Sequence, residues 1–297
     1  MIRVVAVLGP TGAGKSDAAA GLAMALGGEV VVCDSRQVYR GFDVGTNKPS
    51  PEQLSAVPYH LVGVADPREP FTVHDFVEAA TAAVEGIAGR RRLAVLEGGT
   101  MLWADALLDG FTLTGVPPRP DRRAELQQLP VEELATLLHE LDPSAEVDTR
   151  NPVRVVRAIE VLEVAGGPLS RLRERKPPPW DVIRIGLDAP LHVLDARLAE
   201  RSRRQAEGGV VEEAREALAA GVPADAPVLT GIGHAEAIAY LEGRLSLEDL
   251  PLVMARSNQR YARRQLRWLR RDARITWFDA ADDPAPRILA YLEERLN

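Results

Sequence analysis

Apolar positions follow two alternating rhythms along the chain. Residues 2–8 form a nearly unbroken run of branched side chains, Val4, Val5 and Val7 among them. Such a run suits a strand covered on both faces of a parallel sheet. Residues 17–26 are rich in Ala and Leu and predict a helix that stops at Gly27-Gly28. Residues 30–33 repeat the strand pattern, with Cys33 as a buried strand residue. Residues 72–89 set Phe76, Val77, Ala80, Val84 and Ile87 along one side of a helix. Residues 93–96 predict a third strand, which runs into Glu97-Gly98-Gly99-Thr100, and 101–108 a further helix. This alternation predicts a doubly wound α/β fold, a parallel sheet flanked by helices.

The rhythm changes after Gly110. Pro117, Pro118 and Pro120 interrupt the chain, residues 126–141 and 153–164 read as helices, and Gly166-Gly167-Pro168 and Pro177-Pro178-Pro179 close the stretch. Residues 116–179 are therefore read as a small helical insertion domain, with 1–115 and 180–297 forming the core. The sheet resumes at 182–187, and 192–218 is helical again. A length of 297 residues and 46% hydrophobic content suit a globular core with one insertion. A single cysteine excludes an intrachain disulfide and a cysteine zinc cluster. The chain begins directly with its first strand and holds no apolar run long enough for a membrane span, so a cytoplasmic protein is expected.

Chemistry enters at the first strand-to-helix turn. Gly9-Pro10-Thr11-Gly12-Ala13-Gly14-Lys15-Ser16 fits the phosphate-cradling pattern G-x-x-x-x-G-K-[ST], in the strand–loop–helix context that this motif requires. Glycines let backbone N–H groups converge on phosphate oxygens, and the helix N-terminus adds positive potential. Lys15 is expected to reach the terminal phosphates and Ser16 to ligate Mg²⁺. The fold class is thus P-loop NTPase-like. Only Lys15, Lys48 and Lys176 are lysines among 36 basic residues. Lys48 reads equally as a ligand contact or an ordinary loop lysine. Asp34-Ser35-Arg36-Gln37-Val38-Tyr39-Arg40 follows the second strand, where open α/β sheets place ligands.

Net charge is −7, which argues at first against a nucleic-acid partner. The distribution reverses this. Arg256, Arg260, Arg263, Arg267, Arg270 and Arg274 recur at spacings of four and three, predicting one cationic helix face. No acid stands at i±4 to neutralise it. An anionic backbone is one reading, and a face paired with acids from elsewhere in the fold is the other.

Together these segments resemble the tRNA dimethylallyltransferase (tRNA isopentenyltransferase) family. The resemblance is carried by the loop 9–16, Asp34 to Arg40, Gly45-Thr46-Asn47-Lys48-Pro49, Gly98-Gly99-Thr100 and Arg154-Val155-Val156-Arg157-Ala158-Ile159-Glu160. It continues through Arg197, Arg201, Gly209 and Glu213, then Gly231-Ile232-Gly233, then Tyr261-Ala262-Arg263-Arg264-Gln265 with Trp268, and covers residues 3–278. It implies transfer of a dimethylallyl group from its diphosphate to N6 of the adenosine adjacent to the anticodon in tRNA. It also implies Asp34 as general base, Thr100 near the reacting centre and Arg201 as diphosphate clamp. Gly9, Pro10, Thr11, Gly12, Ala13, Gly14, Lys15, Ser16 and Arg197 would bind the diphosphate, with Mg²⁺ on Ser16. Ser35, Arg36, Gln37, Arg122, Arg154, Arg157, Arg260, Arg263, Arg264 and Arg267 would contact the anticodon stem-loop, the insertion taking part. A monomer is expected.

The chain departs from the family pattern at several places. Glu97 stands where a small or apolar residue is usual, and reads equally as a magnesium ligand or an arginine partner. Tyr59-His60 replaces paired histidines, and His60 is assigned no catalysis. Arg267 replaces a threonine, and the region 127–134 looks short. Tyr261 and Trp268 read as core residues rather than base-stacking platforms. Adenylate isopentenyltransferases, which prenylate free AMP, ADP or ATP, are a related alternative through Thr46-Asn47-Lys48 and Phe71-Thr72-x-x-Asp75-Phe76. A P-loop nucleotide kinase leaves Asp34 to Gln37 unexplained, and a non-enzymatic RNA-binding module leaves the phosphate loop unexplained.

Overall fold

The computed structural model describes residues 1–111, 115–117, 119–172 and 175–296; Pro118 lies outside them. The chain divides into two compact units, Met1–Ala104 with Pro179–Asn297, and Asp105–Pro178. The first opens with β1 (Ile2–Leu8), α1 (Lys15–Leu26), β2 (Glu29–Cys33), α2 (Pro51–Ala56), β3 (Tyr59–His60), α3 (Val73–Gly89) and β4 (Ala94–Gly98). Helix α4 (Met101–Leu108) leads into the second unit, which holds α5 (Pro120–Leu126), α6 (Val131–Leu141), α7 (Pro152–Ala165) and α8 (Leu169–Leu172). The first unit resumes with β5 (Trp180–Asp188), α9 (Leu191–Glu207), α10 (Val210–Ala219), α11 (His234–Leu241), α12 (Leu250–Leu269), β6 (Thr276–Asp279) and α13 (Ala285–Leu296). No described helix is long and apolar enough to cross a membrane.

Among the described residues the strands form one sheet in the order β3-β2-β4-β1-β5-β6, every neighbouring pair parallel. Val5, Val7, Val30, Val32, Val95, Ile185 and Leu187 pack in one apolar cluster with α1 and with Ile288 and Leu292 of α13. The alternate residues Val4, Ala6, Val31 and Leu96 are equally buried, with α3 against that side. Burial on both faces is why these strands read as unbroken apolar runs. All loops that follow β1, β2 and β4 emerge at one edge of the sheet, because every strand points the same way.

Two expected helices are each broken. Beyond Leu126, where α5 ends, the stretch 126–141 is helical only from Val131, and Pro130, which lacks the N–H a continuous helix needs, caps α6. The stretch 192–218 divides into α9 and α10 at Gly208-Gly209, where Gly209 adopts φ 105°. That conformation suits glycine and ends a helix in any other residue. In the second unit Leu126, Leu134, Leu138, Val155 and Ile159 build a separate core. Its buried Glu160 accepts from Arg123 Nη2 at 2.6 Å and from the Arg119 N–H at 3.2 Å.

At the opposite edge of the sheet from those loops, the first residue of β2 is an ionised acid. Glu29 has a side chain only 3% exposed, and accepts from Arg90 Nε at 3.0 Å and Nη2 at 2.6 Å. His60 Nε2 lies 2.7 Å from Glu29 Oε2, the oxygen that also accepts Arg90 Nη2, so His60 is a structural histidine. Hydrogen bonds from Arg90 outweigh burial and hold the Glu29 carboxyl down to about 2. Its folded value lies below its unfolded value, so this stabilisation is complete above the ordinary carboxylate range and is lost as pH falls toward 2. Glu29→Gln should lower the unfolding free energy at pH 7 by about 2 kcal/mol, allowing for the half-exposed arginines. The deficit should shrink between about pH 5 and pH 2 in urea unfolding series.

Candidate active site

The loop after β1 turns sharply before α1. Gly12 and Gly14 adopt φ 85° and 78°, a left-handed conformation that opens the backbone toward a concave face. Gly14 caps α1 without a side-chain bond, so the first N–H groups of the helix keep their capacity for an anion. Gly9 lies against β5, where a Cβ would stand 2.7 Å from the Leu187 carbonyl oxygen.

Two cations flank this loop. Lys15 Nζ donates to the Pro10 carbonyl at 3.0 Å, and Arg201 of α9 donates to Thr11 Oγ1. Burial, partly offset by Glu97 and Asp34, pushes the Lys15 ammonium below its ordinary value. Burial likewise lowers the Arg201 guanidinium, to about 10, against a rise from Asp34. Arg201 Nε is buried without a hydrogen-bond partner. A buried N–H left unpaired costs about 1–3 kcal/mol, so this donor is poised for an acceptor that the loop would bring.

The loops after β2 and β4 meet beside it. Gly98 approaches β2 so closely that a Cβ would stand 2.1 Å from the Cys33 carbonyl oxygen. This contact brings Thr100 to Asp34. Thr100 Oγ1 accepts the Ser35 N–H at 3.1 Å, and Asp34 Oδ1 accepts the Arg36 N–H at 2.8 Å and the Gln37 N–H at 3.3 Å. Asp34 and Thr100 are both half-buried. Arg36 lies in the field of Asp34, which raises its value while burial lowers it more. Gln37 is buried, donates to the Thr46 and Asn47 carbonyls at 3.3 and 3.2 Å, and leaves its Oε1 unpaired.

Helix α12 locks these loops together. Gln265 Oε1 accepts the Thr11 N–H at 2.8 Å, and its Nε2 donates to the Gly99 carbonyl at 2.8 Å. One buried amide thus ties the phosphate loop to the turn after β4. Tyr261, one turn earlier, is half-buried beside Asp34; burial first, then Asp34, pushes its phenol up to about 12. It is therefore neither a core residue nor ionised at neutral pH. A second clamp holds residues 43–45: Glu213 accepts all three backbone N–H groups, and its Oε2 lies 2.8 Å from buried His234 Nε2. Sequence reading gave Gln265 and His234 no role. A signal was present: Asn258, Ala262, Gln265 and Leu269 recur at helical spacing on the buried side of α12, so two amides face inward.

Several expected ligand contacts take other partners. Arg197 donates to the Ala280 and Ala281 carbonyls at 2.8 and 2.9 Å, fixing the segment after β6 rather than a diphosphate. Lys48 is a loop lysine that bridges the Tyr39 carbonyl and Asp43 at 2.6 and 2.7 Å. Arg122 is held by Glu163 and Glu125 at 2.7 and 2.8 Å. Arg157 donates to the Val116 carbonyl at 2.6 Å and stands 3.5 Å from Glu160, whereas Arg154 is exposed.

The expected six-arginine face is shorter than its spacing implied. Helix α12 ends at Leu269, so Arg270 caps it and Arg274 lies beyond, paired with Asp272. Arg263 turns onto Asp195 at 2.8 Å and Arg270 onto Asp188 at 2.6 Å, acids that come from α9 and β5. Arg256, Arg260, Arg264 and Arg267 remain exposed, and among the described residues no carboxylate pairs with them. Trp268 is 38% exposed and carries Arg271 over its ring at 5.8 Å, so it too is not a core residue.

A phosphate loop flanked by two buried cations, beside a strand-end carboxylate on a parallel sheet, defines a protein of the P-loop class. Residues 37–272 match the family described as IPP transferase, and residues 2–66 the one described as isopentenyl transferase. The chain belongs to the IPP transferase family. It is 42% identical to a tRNA dimethylallyltransferase of Thermomicrobium roseum, over 99% of this chain and 90% of that one. It is 40% identical to one of a Roseiflexus species over 91% of each. The solved tRNA isopentenylpyrophosphate transferase of Bacillus halodurans is 35% identical, with a TM-score of 0.76 over 100% of this chain and 96% of that one. A eukaryotic dimethylallyltransferase solved acting on tRNA shares the fold at 24% identity, with a TM-score of 0.86 over 100% and 79% of the two chains.

Gln265→Leu keeps the volume and removes both bonds, leaving the Thr11 N–H and the Gly99 carbonyl unpaired. Urea unfolding should show a loss of about 2 kcal/mol. Calorimetric titration with inorganic diphosphate should show weaker binding; unchanged affinity would separate the staple from the phosphate loop.

Proposed function

We propose that this chain transfers a dimethylallyl group from dimethylallyl diphosphate to N6 of the adenosine adjacent to the anticodon in tRNA, releasing diphosphate. The observation that carries this reading is Asp34, a half-buried carboxylate beside a phosphate loop lined by Lys15 and Arg201. An exocyclic adenine amine is a poor nucleophile because its lone pair is delocalised into the ring. As that lone pair forms the new N–C bond to C1 of the prenyl group, the C1–O bond breaks and its electrons leave on the diphosphate oxygen. The N6 proton passes to the Asp34 carboxylate. No phosphoryl group moves.

The protein's part is to stabilise the departing charge and to place the amine. The loop N–H groups, Lys15 and the unpaired Arg201 Nε suit the diphosphate oxygens. Thr100 accepts from Ser35, so its own hydroxyl proton is available to the bridging oxygen. Ser16 and phosphate oxygens suit Mg²⁺, a hard ion that takes few protein ligands beside phosphates and water. When bound, that ion would help neutralise the diphosphate leaving group.

An adenosine stacked in the anticodon loop must swing out to reach Asp34. Ser35, Arg36 and Gln37, which follow Asp34 directly in the chain, suit contacts to that adenosine and its neighbours. The exposed arginines Arg260, Arg264 and Arg267 suit phosphate backbone, and Arg154 offers the same chemistry in the second unit. A free nucleotide would make no use of this face.

The test offers dimethylallyl diphosphate and Mg²⁺ with unmodified tRNA or AMP as acceptor. Prenylated adenosine should appear in tRNA. Asp34→Asn should lower kcat at least a hundredfold while tRNA still binds. Transfer to AMP alone would contradict the tRNA reading, and ATP turnover without transfer would contradict both. Arg264→Glu with Arg267→Glu should raise the KM for tRNA about tenfold and flatten its dependence on salt.

A further inference from the structure

The reaction just described makes no use of a buried acid that lies against the phosphate-loop helix. Glu97 is the penultimate residue of β4 and only 4% exposed. Its register partner on β1 is Val7, and its side chain points to the sheet face covered by α1. Ser16 Oγ, in the first turn of α1, donates to Glu97 Oε1 at 3.0 Å. No arginine bonds it among the described residues, so the arginine-partner reading fails. Lys15, the nearest cation in its field, donates its ammonium to Pro10 instead.

A buried carboxylate with one hydroxyl donor is expensive to keep unless a cation is its intended partner. The two oxygens already stand as neighbouring ligands would. Adjacent oxygens on an octahedral Mg²⁺, each at about 2.0–2.1 Å, are about 2.9 Å apart. Both are hard donors, and the set is short of a full cage. Among the described residues no group of three or more His, Cys, Asp or Glu could hold a metal alone. Magnesium suits such a site, because it commonly takes one or two protein oxygens and completes its shell with phosphates and water. The Tyr59 hydroxyl lies buried in the field of the same carboxylate and lacks a hydrogen-bond partner, which suits a site that also takes water.

We propose that Glu97 and Ser16 together form the protein side of a magnesium site under the phosphate loop, Glu97 as a direct carboxylate ligand. The inference rests on the diphosphate-binding reading of the loop and extends it. A serine alone holds the ion only while phosphate is present. A carboxylate ligand gives the protein its own affinity, so the metal and the diphosphate bind in either order.

The probe is Mn²⁺, followed by electron paramagnetic resonance on the complete chain, with and without inorganic diphosphate. The wild-type chain should bind one Mn²⁺ without diphosphate and bind it more tightly with it. Glu97→Gln should weaken Mn²⁺ at least tenfold in both conditions; equal affinity would overturn the proposal. A second measurement needs no variant. In protein labelled with carboxylate-¹³C glutamate, electron–nuclear double resonance on the bound Mn²⁺ should show the coupling of a directly ligated carboxylate, and its absence would overturn the proposal. Neither readout depends on prenyl transfer. A chain that binds Mn²⁺ through Glu97 and fails to modify tRNA would contradict the proposed function and leave the metal site standing.

Discussion

Two cations, Lys15 and Arg201, are buried at the same edge of one parallel sheet, and burial works against the charge of both. Such charges need acids or a bound anion. The nearby acids, Asp34 and Glu97, are set at the ends of the two neighbouring strands rather than in ion pairs with them. The loop, its glycine turns and the staple from Gln265 hold the cations around a concave face instead. The rest of the active unit can be understood as support for that arrangement. Parallel strands put every relevant loop at one edge. The close approach at Gly98 lets the loops after β2 and β4 share hydrogen bonds, and α9 and α12 seal the far side with Arg201 and Gln265.

The core of this fold was legible because it obeys local rules. Strands β1, β2 and β4 are buried on both faces and so read as branched apolar runs, whereas β5 is buried only over residues 184–187. The phosphate loop requires glycine at two left-handed positions, which fixes its spelling. Strands β3 and β6 were not legible: one has two residues and the other, at the sheet edge, is half-exposed, so neither shows a periodic signal. The breaks within 126–141 and 192–218 depend on a single proline and a glycine pair inside otherwise helical composition, and periodicity alone passes over them.

The site was legible where chemistry constrains residue type and poorly legible where partners come from afar. Asp34, Thr100, Lys15 and Arg201 stand together at one edge of the sheet. Arg197 shares the spacing and charge of Arg201 one turn away, yet its direction on α9 takes it to the carbonyls after β6. The arginine face of α12 failed in part for the same reason. Absence of acids at i±4 says nothing about Asp195 on another helix or Asp188 at a strand end. What survives is a set of four exposed arginines, Arg256, Arg260, Arg264 and Arg267, on the outer side of a helix whose inner side holds the phosphate loop. One helix therefore joins this exposed cationic face to the sheet edge that carries the phosphate loop.

The central claim is that the phosphate loop here holds a leaving group and no phosphorus–oxygen bond breaks. Dimethylallyl diphosphate labelled with ¹⁸O at the oxygen joining C1 to phosphorus tests it directly. After turnover with tRNA, mass spectrometry of the products should find the label wholly in the released diphosphate and none in prenylated adenosine or dimethylallyl alcohol. Label retained on the five-carbon fragment would mean cleavage at phosphorus, and would contradict the account.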